Sequence, residues 1–98
     1  MNIDIIKLLK LQEKEKINII DIRNASLYNN GHIQSSKNIP QTNLMLSPEK
    51  YINKRDIYYI YCQQGTSSSY LCTLLNNLGY RTVNIIGGYN AYKSLKYK

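Results

Sequence analysis

The chain has 98 residues, 43% of them hydrophobic. That is enough for one packed domain over residues 1–98, and it is too apolar and too patterned for disorder. The formal charge of +7 comes from 13 Lys and Arg against 6 Asp and Glu. The basic residues are scattered, so no block reads as a nucleic-acid arm, and the surplus suits a solvated surface that weakly attracts small anions.

Ile5, Ile6, Leu8 and Leu9 recur at helical spacing and predict an amphipathic helix over residues 2–12. Asp4, Lys7 and Lys10 interrupt this run, making it too short and too charged for a signal-peptide core or a membrane span. The expectation is a cytoplasmic protein that engages neither membrane nor nucleic acid. In that compartment Cys62 and Cys72 are free thiols. No Cys-x-x-Cys pair exists to form a zinc ribbon or a thioredoxin-like redox pair.

Residues 17–22, INIIDI, are rich in β-branched side chains and read as a strand buried on both faces. Residues 24–30 predict a short helix closed by Gly31, and residues 37–39 a very short strand before Pro40. Residues 43–52 are ambiguous, with a helical turn around Pro48 and Glu49. Residues 57–61 are a second strong strand. Leu71, Leu74, Leu75 and Leu78 form one apolar helical face that stops at Gly79. Residues 82–86 are a third strand, and Gly87-Gly88 turns the chain into a last helix over 89–95. Alternating helices and strands call for an α/β fold, a central parallel sheet with helices on both faces.

Cys62 follows strand 57–61 directly, at the sheet edge where ligands of open α/β sheets sit. The next helix begins near Ser67 or Ser68, so the loop Gln63, Gln64, Gly65, Thr66, Ser67, Ser68 feeds a helix N-terminus whose first amides lack intrahelical partners. With Gly65 letting the loop curl, those amides can cradle an anion, either a thiolate or a persulfide. A cysteine in a small domain is otherwise a buried apolar group, but this context favours a reactive thiol. Cys72, mid-helix beside the leucine face, reads as packing. A resolving role would need to bridge ten residues, about 15 Å if helical.

Two segments together resemble the single-domain rhodaneses, the thiosulfate sulfurtransferases. One is Asp21-Ile22-Arg23, followed by Gly31-His32-Ile33 and Asn38-Ile39-Pro40; the other is Cys62-Gln63-Gln64-Gly65-Thr66-Ser67-Ser68. Gly79-Tyr80, Val83, Gly87-Gly88 and Ala91-Tyr92 resemble the family's closing pattern, so the likeness runs over about residues 3 to 95. It implies a rhodanese-like fold in which Cys62 attacks the outer sulfur of thiosulfate or a persulfide donor. Cys62 becomes a persulfide and then yields the sulfur to cyanide or a thiol; a sulfur-accepting protein is compatible with this scheme. Gln63, Gln64, Gly65, Thr66, Ser67 and Ser68 would hold the charged sulfur. No metal and no organic cofactor is implied.

The chain departs from the family at Leu27, often Glu, at Ser35-Ser36, often Gly-Ala, at Tyr92, often Trp, and at Ser67, where many members carry an Arg that can bind the donor. Asp21, at the end of its strand, can brace the loop by accepting from its amides. Arg23 can pair with Asp21 or attract an anion. The competing and preferred reading of both is a structural ion pair or helix cap. His32, the only histidine, reads as structural rather than as a base for Cys62. A phosphatase or arsenate reductase would resemble Cys-x-x-x-x-x-Arg, but Ser68 occupies the Arg position. A non-catalytic module on the same fold commonly lacks the cysteine that this chain keeps.

Overall fold

The computed structural model describes residues 1–96, and the side chain of Lys96 lies outside that description. In chain order the elements are β1 (Asn2–Ile3), α1 (Ile5–Lys14), β2 (Asn18–Asp21), α2 (Ala25–Asn30), β3 (Lys37–Asn38), α3 (Gln41–Leu46), a 3-10 turn (Pro48–Lys50), β4 (Ile57–Tyr61), α4 (Thr66–Asn77), β5 (Arg81–Ile85) and α5 (Gly88–Lys96). The described strands form one parallel sheet in the order β1-β5-β4-β2-β3. The expected architecture, a parallel α/β sheet with helices on both faces, is the one found.

The core divides at the sheet. On one side Ile20, Ile22, Tyr58, Ile60 and Cys62 pack with Leu44 of α3 and with Leu71, Cys72 and Leu75 of α4. On the other, Ile19, Tyr61 and Ile85 pack with Ile5 and Leu8 of α1, and Tyr89 and Tyr92 of α5 join them. Side chains of a strand alternate faces, so Tyr58, Ile60 and Cys62 all point toward α4. Cys62 continues the alternation of β4 one residue past its end.

Three local expectations are corrected. Asn2 and Ile3 are a strand paired with Asn84 and Ile85, not the start of a helix. Helix α1 begins after Asp4, whose carboxylate accepts the Lys7 amide at 2.8 Å. In the ambiguous 43–52 region the helix starts earlier, at Gln41, and ends at Leu46 before the 3-10 turn. On α4 the buried stripe is Ser68, Leu71, Cys72 and Leu75, whereas Leu78 is 57% exposed. The helix stops at Asn77, and the half-buried Tyr80 packs against that core in its place.

Ser35 has a φ of +70°, the one non-glycine residue with positive φ among the described residues. Only glycine adopts that left-handed backbone without steric cost.

The Cys62 loop is tied down by α5. The amides of Tyr89 and Asn90 donate to the carbonyls of Cys62 and Gln63 at 2.9 and 3.0 Å. Gly88 makes this approach possible: its φ is +56°, and a Cβ there would collide with the Cys62 carbonyl oxygen. Gly88→Ala is therefore expected to destabilise the chain by more than the roughly 1–2 kcal/mol of the left-handed backbone alone. Urea unfolding of the variant against the native protein measures it.

Candidate active site

Strand β4 is central, flanked by β2 and β5. The chain leaves β2 toward β3 on one side and leaves β4 toward β5 on the other, so the carboxyl ends of β2 and β4 border the crevice where the order reverses. Cys62 lies there, 8% exposed. From β4 the chain curls through Gly65, left-handed at φ +98° and packed against the Gly87 backbone, and enters α4 at Thr66. Ser68 lies on the same helical stripe as Leu71 and Cys72, one turn earlier, so its side chain faces the sheet.

The sulfur of Cys62 takes the place of a helix cap. The N-cap residue of α4, Gly65, has no side chain to cap it. Instead Cys62 Sγ accepts the amides of Gly65 at 3.1 Å and Ser68 at 3.3 Å, and it lies 3.3 Å from Ser68 Oγ. Burial pushes the Cys62 thiol up. The Ser68 hydroxyl and the amides of Ser68, Gly65 and Gln64 outweigh burial and hold it below its ordinary value. Hydrogen bonds to a charged acceptor contribute about 1.5–3 kcal/mol each, so two or three suffice to overcome partial desolvation. Cys72 shows the contrast: burial raises its thiol, and it sits in the apolar core beneath α4. Both cysteines are free thiols.

A shallow cavity of about 150 Å³ opens above the sulfur, lined by Cys62, Gln63, Gln64, Thr66 and Ser67. Gln64, Thr66 and Ser67 are exposed around it. Gly65 and Ser68 are buried against the sulfur. Gln63 turns its side chain the other way: its Oε1 accepts from Arg23 Nη1 at 3.0 Å and its Nε2 donates to Asn90 Oδ1 at 2.6 Å.

Asp21 does not brace the loop amides. Its register partner is Tyr61, one residue before Cys62, so its carboxylate points to the opposite face of the sheet. There it accepts the Arg23 amide at 2.9 Å and the Arg23 guanidinium at 2.8–3.1 Å. The pair is buried, with side-chain exposures of 4% and 0%. Arg23 Nη2 also donates to the Gly31 carbonyl at 2.7 Å, and the guanidinium stacks 4.2 Å over the Tyr89 ring. Asp21 is thus held in a buried ion pair, while Arg23 reaches the loop through Gln63.

The rest of this segment is bound into the same assembly. Asn38 Nδ2 donates to the carbonyls of Asp21 and Arg23, both at 2.9 Å. Tyr61 Oη accepts the Ile33 amide at 3.0 Å and lies 3.1 Å from Ser36 Oγ. Burial and the nearby Asp21 push its ionisation up, so it stays a neutral phenol. His32 stacks on Tyr28 with ring centroids 3.9 Å apart, and its Nδ1 is 2.8 Å from the Tyr28 carbonyl. It holds the turn.

Asn84 escaped the sequence reading. It is 5% exposed on β5, and its Oδ1 lies 2.5 Å from Ser68 Oγ. A polar residue in a β-branched strand was the available signal.

The rhodanese-like domain model matches residues 5–95. The chain belongs to the rhodanese-like domain family. Thiosulfate sulfurtransferase GlpE of Shewanella oneidensis is 29% identical over 90 residues, covering 88% of this chain and 85% of that protein. A tRNA sulfurtransferase of Thermoplasma acidophilum is 32% identical over 78 residues, 80% of this chain but 14% of that protein. The crystal structure of a rhodanese-like domain protein from Staphylococcus aureus superposes with a TM-score of 0.83 at 32% identity, covering 94% of this chain and 91% of that one. The family is one of sulfurtransferases. In this rhodanese-like chain no described helix is long and apolar enough to cross a membrane. Among the described residues no group of three or more His, Cys, Asp or Glu comes together.

Two outcomes are expected. Alkylation of Cys62, followed by peptide mapping across pH, should show a midpoint below the ordinary thiol value of about 8.5. The acid form is neutral, so a lowered pKa extends the thiolate to lower pH, and the rate falls only below that midpoint. Ser68→Ala removes a donor and should move the midpoint up. Separately, Asp21→Asn leaves a buried guanidinium without its counter-charge and should cost about 3–5 kcal/mol in urea unfolding.

Proposed function

We propose that this chain moves sulfane sulfur through a persulfide on Cys62. The observation that carries the reading is the sulfur itself: buried at the end of β4, it receives the amides of Gly65 and Ser68. A thiolate so held is the nucleophile of covalent catalysis. It attacks the outer sulfur of thiosulfate; the S–S bond of the donor breaks, sulfite leaves with the bonding pair, and the sulfane sulfur stays on Cys62. A thiol or cyanide then attacks that outer sulfur and restores the thiolate. A protein thiol can serve as acceptor, since the cavity above Cys62 is open at Gln64, Thr66 and Ser67.

The loop favours sulfur over phosphate. Gln63, Gln64, Thr66, Ser67 and Ser68 carry no positive charge. Arg23, the cation that approaches from the other side of the sheet, is committed to Asp21. Backbone dipoles serve a single anionic sulfur, whereas a phosphoryl dianion calls for a bidentate Arg. Thiosulfate, also a dianion, is bound weakly for the same reason, and a persulfide is the better donor.

Incubation with thiosulfate should add one sulfur, ~32 Da by intact mass, removable by a reductant. Peptide mapping should place it on Cys62. Cys62→Ser should abolish thiosulfate:cyanide sulfurtransfer and Cys72→Ala should retain most of it. Ser67→Arg should lower the apparent KM for thiosulfate. Sulfur found on Cys72, or Cys62-dependent hydrolysis of an aryl phosphate without sulfurtransfer, would sink the proposal.

A further inference from the structure

The Ser68 hydroxyl has one proton and three claimants. Asn84 Oδ1 is 2.5 Å away, the Gly65 carbonyl 3.3 Å and Cys62 Sγ 3.3 Å. A serine hydroxyl donates once and accepts through two lone pairs. At 2.5 Å from a carbonyl-type oxygen, the proton belongs to Asn84. The hydroxyl then turns lone pairs toward the sulfur, which suits a thiol that donates its S–H and is wrong for an anion.

The anion needs the reverse. For Ser68 to donate to a charged sulfur, its proton must leave Asn84 Oδ1, and two oxygens would then face each other at 2.5 Å with no hydrogen between them. A half-turn of the Asn84 amide removes that conflict. It brings Nδ2 to Ser68 Oγ and sends Oδ1 outward. The outward partner is already in place: Asn84 Nδ2 now donates to Asn2 Oδ1 at 3.3 Å, and Asn2 is exposed on the edge strand, free to turn its own amide in response. In the present arrangement each buried side-chain nitrogen and oxygen among the described residues has a partner, and in the turned one Asn84 keeps Ser68 and Asn2 as its two neighbours.

We propose that Asn84 is a positioning residue whose amide turns with the charge on Cys62, oxygen toward Ser68 beside a neutral thiol and nitrogen toward Ser68 beside an anionic sulfur. This rests on the reading of Cys62 as the sulfur-bearing nucleophile. The proton balance is simple. The Cys62 S–H breaks and its proton leaves to water; the Ser68 O–H rotates but does not break; no proton passes through Asn84. With nitrogen inward, Asn84 to Ser68 to sulfur becomes a chain of donors aligned toward the charge, each strengthening the next. Other titratable or charged groups nearby are Cys72 on α4, the α-ammonium of Met1, whose carbonyl accepts the Asn84 backbone amide at 3.0 Å, and, through Gln63, the Arg23–Asp21 pair at the end of β2. Helix α5 presents the neutral Asn90 to the loop.

The first readout needs no substitution. In the native protein the Asn84 side-chain amide is followed by NMR across pH. Its Nδ2 hydrogens should show contacts to Asn2 below the Cys62 midpoint and to Ser68 above it, with the same midpoint as Cys62 alkylation. Asn2→Asp gives the second readout. An ionised carboxylate only accepts, so it holds Nδ2 outward and Oδ1 against Ser68. Alkylation of Cys62 below its midpoint should slow by about threefold or more, and by clearly less in a Ser68→Ala background. Amide signals that ignore the Cys62 titration, no slowing by Asn2→Asp, or equal slowing in both backgrounds would overturn the proposal. Absence of a thiosulfate adduct on the native protein would instead remove the functional reading, while the amide titration still decides the role of Asn84.

Discussion

A negatively charged sulfur cannot be buried at the end of a central strand unless fixed dipoles replace the water it loses. Burial raises the Cys62 thiol, and the amides and hydroxyl of one short loop reverse that effect. The amides among these donors are backbone groups left unpaired at the start of α4, and the hydroxyl sits on a short serine, so no long side chain has to be ordered. What they require is placement. The parallel sheet supplies it by ending β4 directly beneath the start of α4, and α5 supplies the rest by binding the carbonyls on the loop's other side. The loop is thus held from both directions before any donor arrives, which is the preorganisation that electrostatic stabilisation needs.

Arg23 is the second element on which the arrangement depends. One guanidinium joins Asp21, the Gly31 carbonyl and Gln63, and lies over Tyr89. A lysine offers a point charge and cannot make this planar set of contacts. Burying the Arg23–Asp21 pair carries a desolvation cost, offset by its short bonds and by the positional order it imposes. Through Gln63 the pair couples the exit of β2 to the reactive loop, although the two carboxyl-end segments project to opposite faces of the sheet. The two stretches, one around Asp21 and one around Cys62, are in contact as parts of one hydrogen-bonded unit.

The chemistry of the loop follows from what it lacks as well as from what it holds. With Ser67 and Ser68 in positions that a cation could occupy, charge is stabilised by dipoles over a short range around one atom. That range matches the single sulfur of Cys62. The cavity is about 150 Å³ and open at its rim, so a large molecule can approach the Cys62 loop without entering the protein.

Local sequence determined a great deal. The β-branched runs of β2, β4 and β5, the helical spacing of α4 and the glycines that punctuate them were legible because period and propensity act over a few residues. So was the position of Cys62 at a strand end before an amide-rich turn. Only the tertiary structure decided which face each side chain takes and what meets it there. Asp21 faces away from Cys62 because it is in register with Tyr61. Asn2 and Ile3 form a strand because β5 offers an edge, and two residues carry no period of their own. The line from Cys62 through Ser68 and Asn84 to Asn2 joins residues as far as 82 apart in sequence. Such contacts arise from strand order and register, which are set by burying whole faces at once, and no local pattern encodes them.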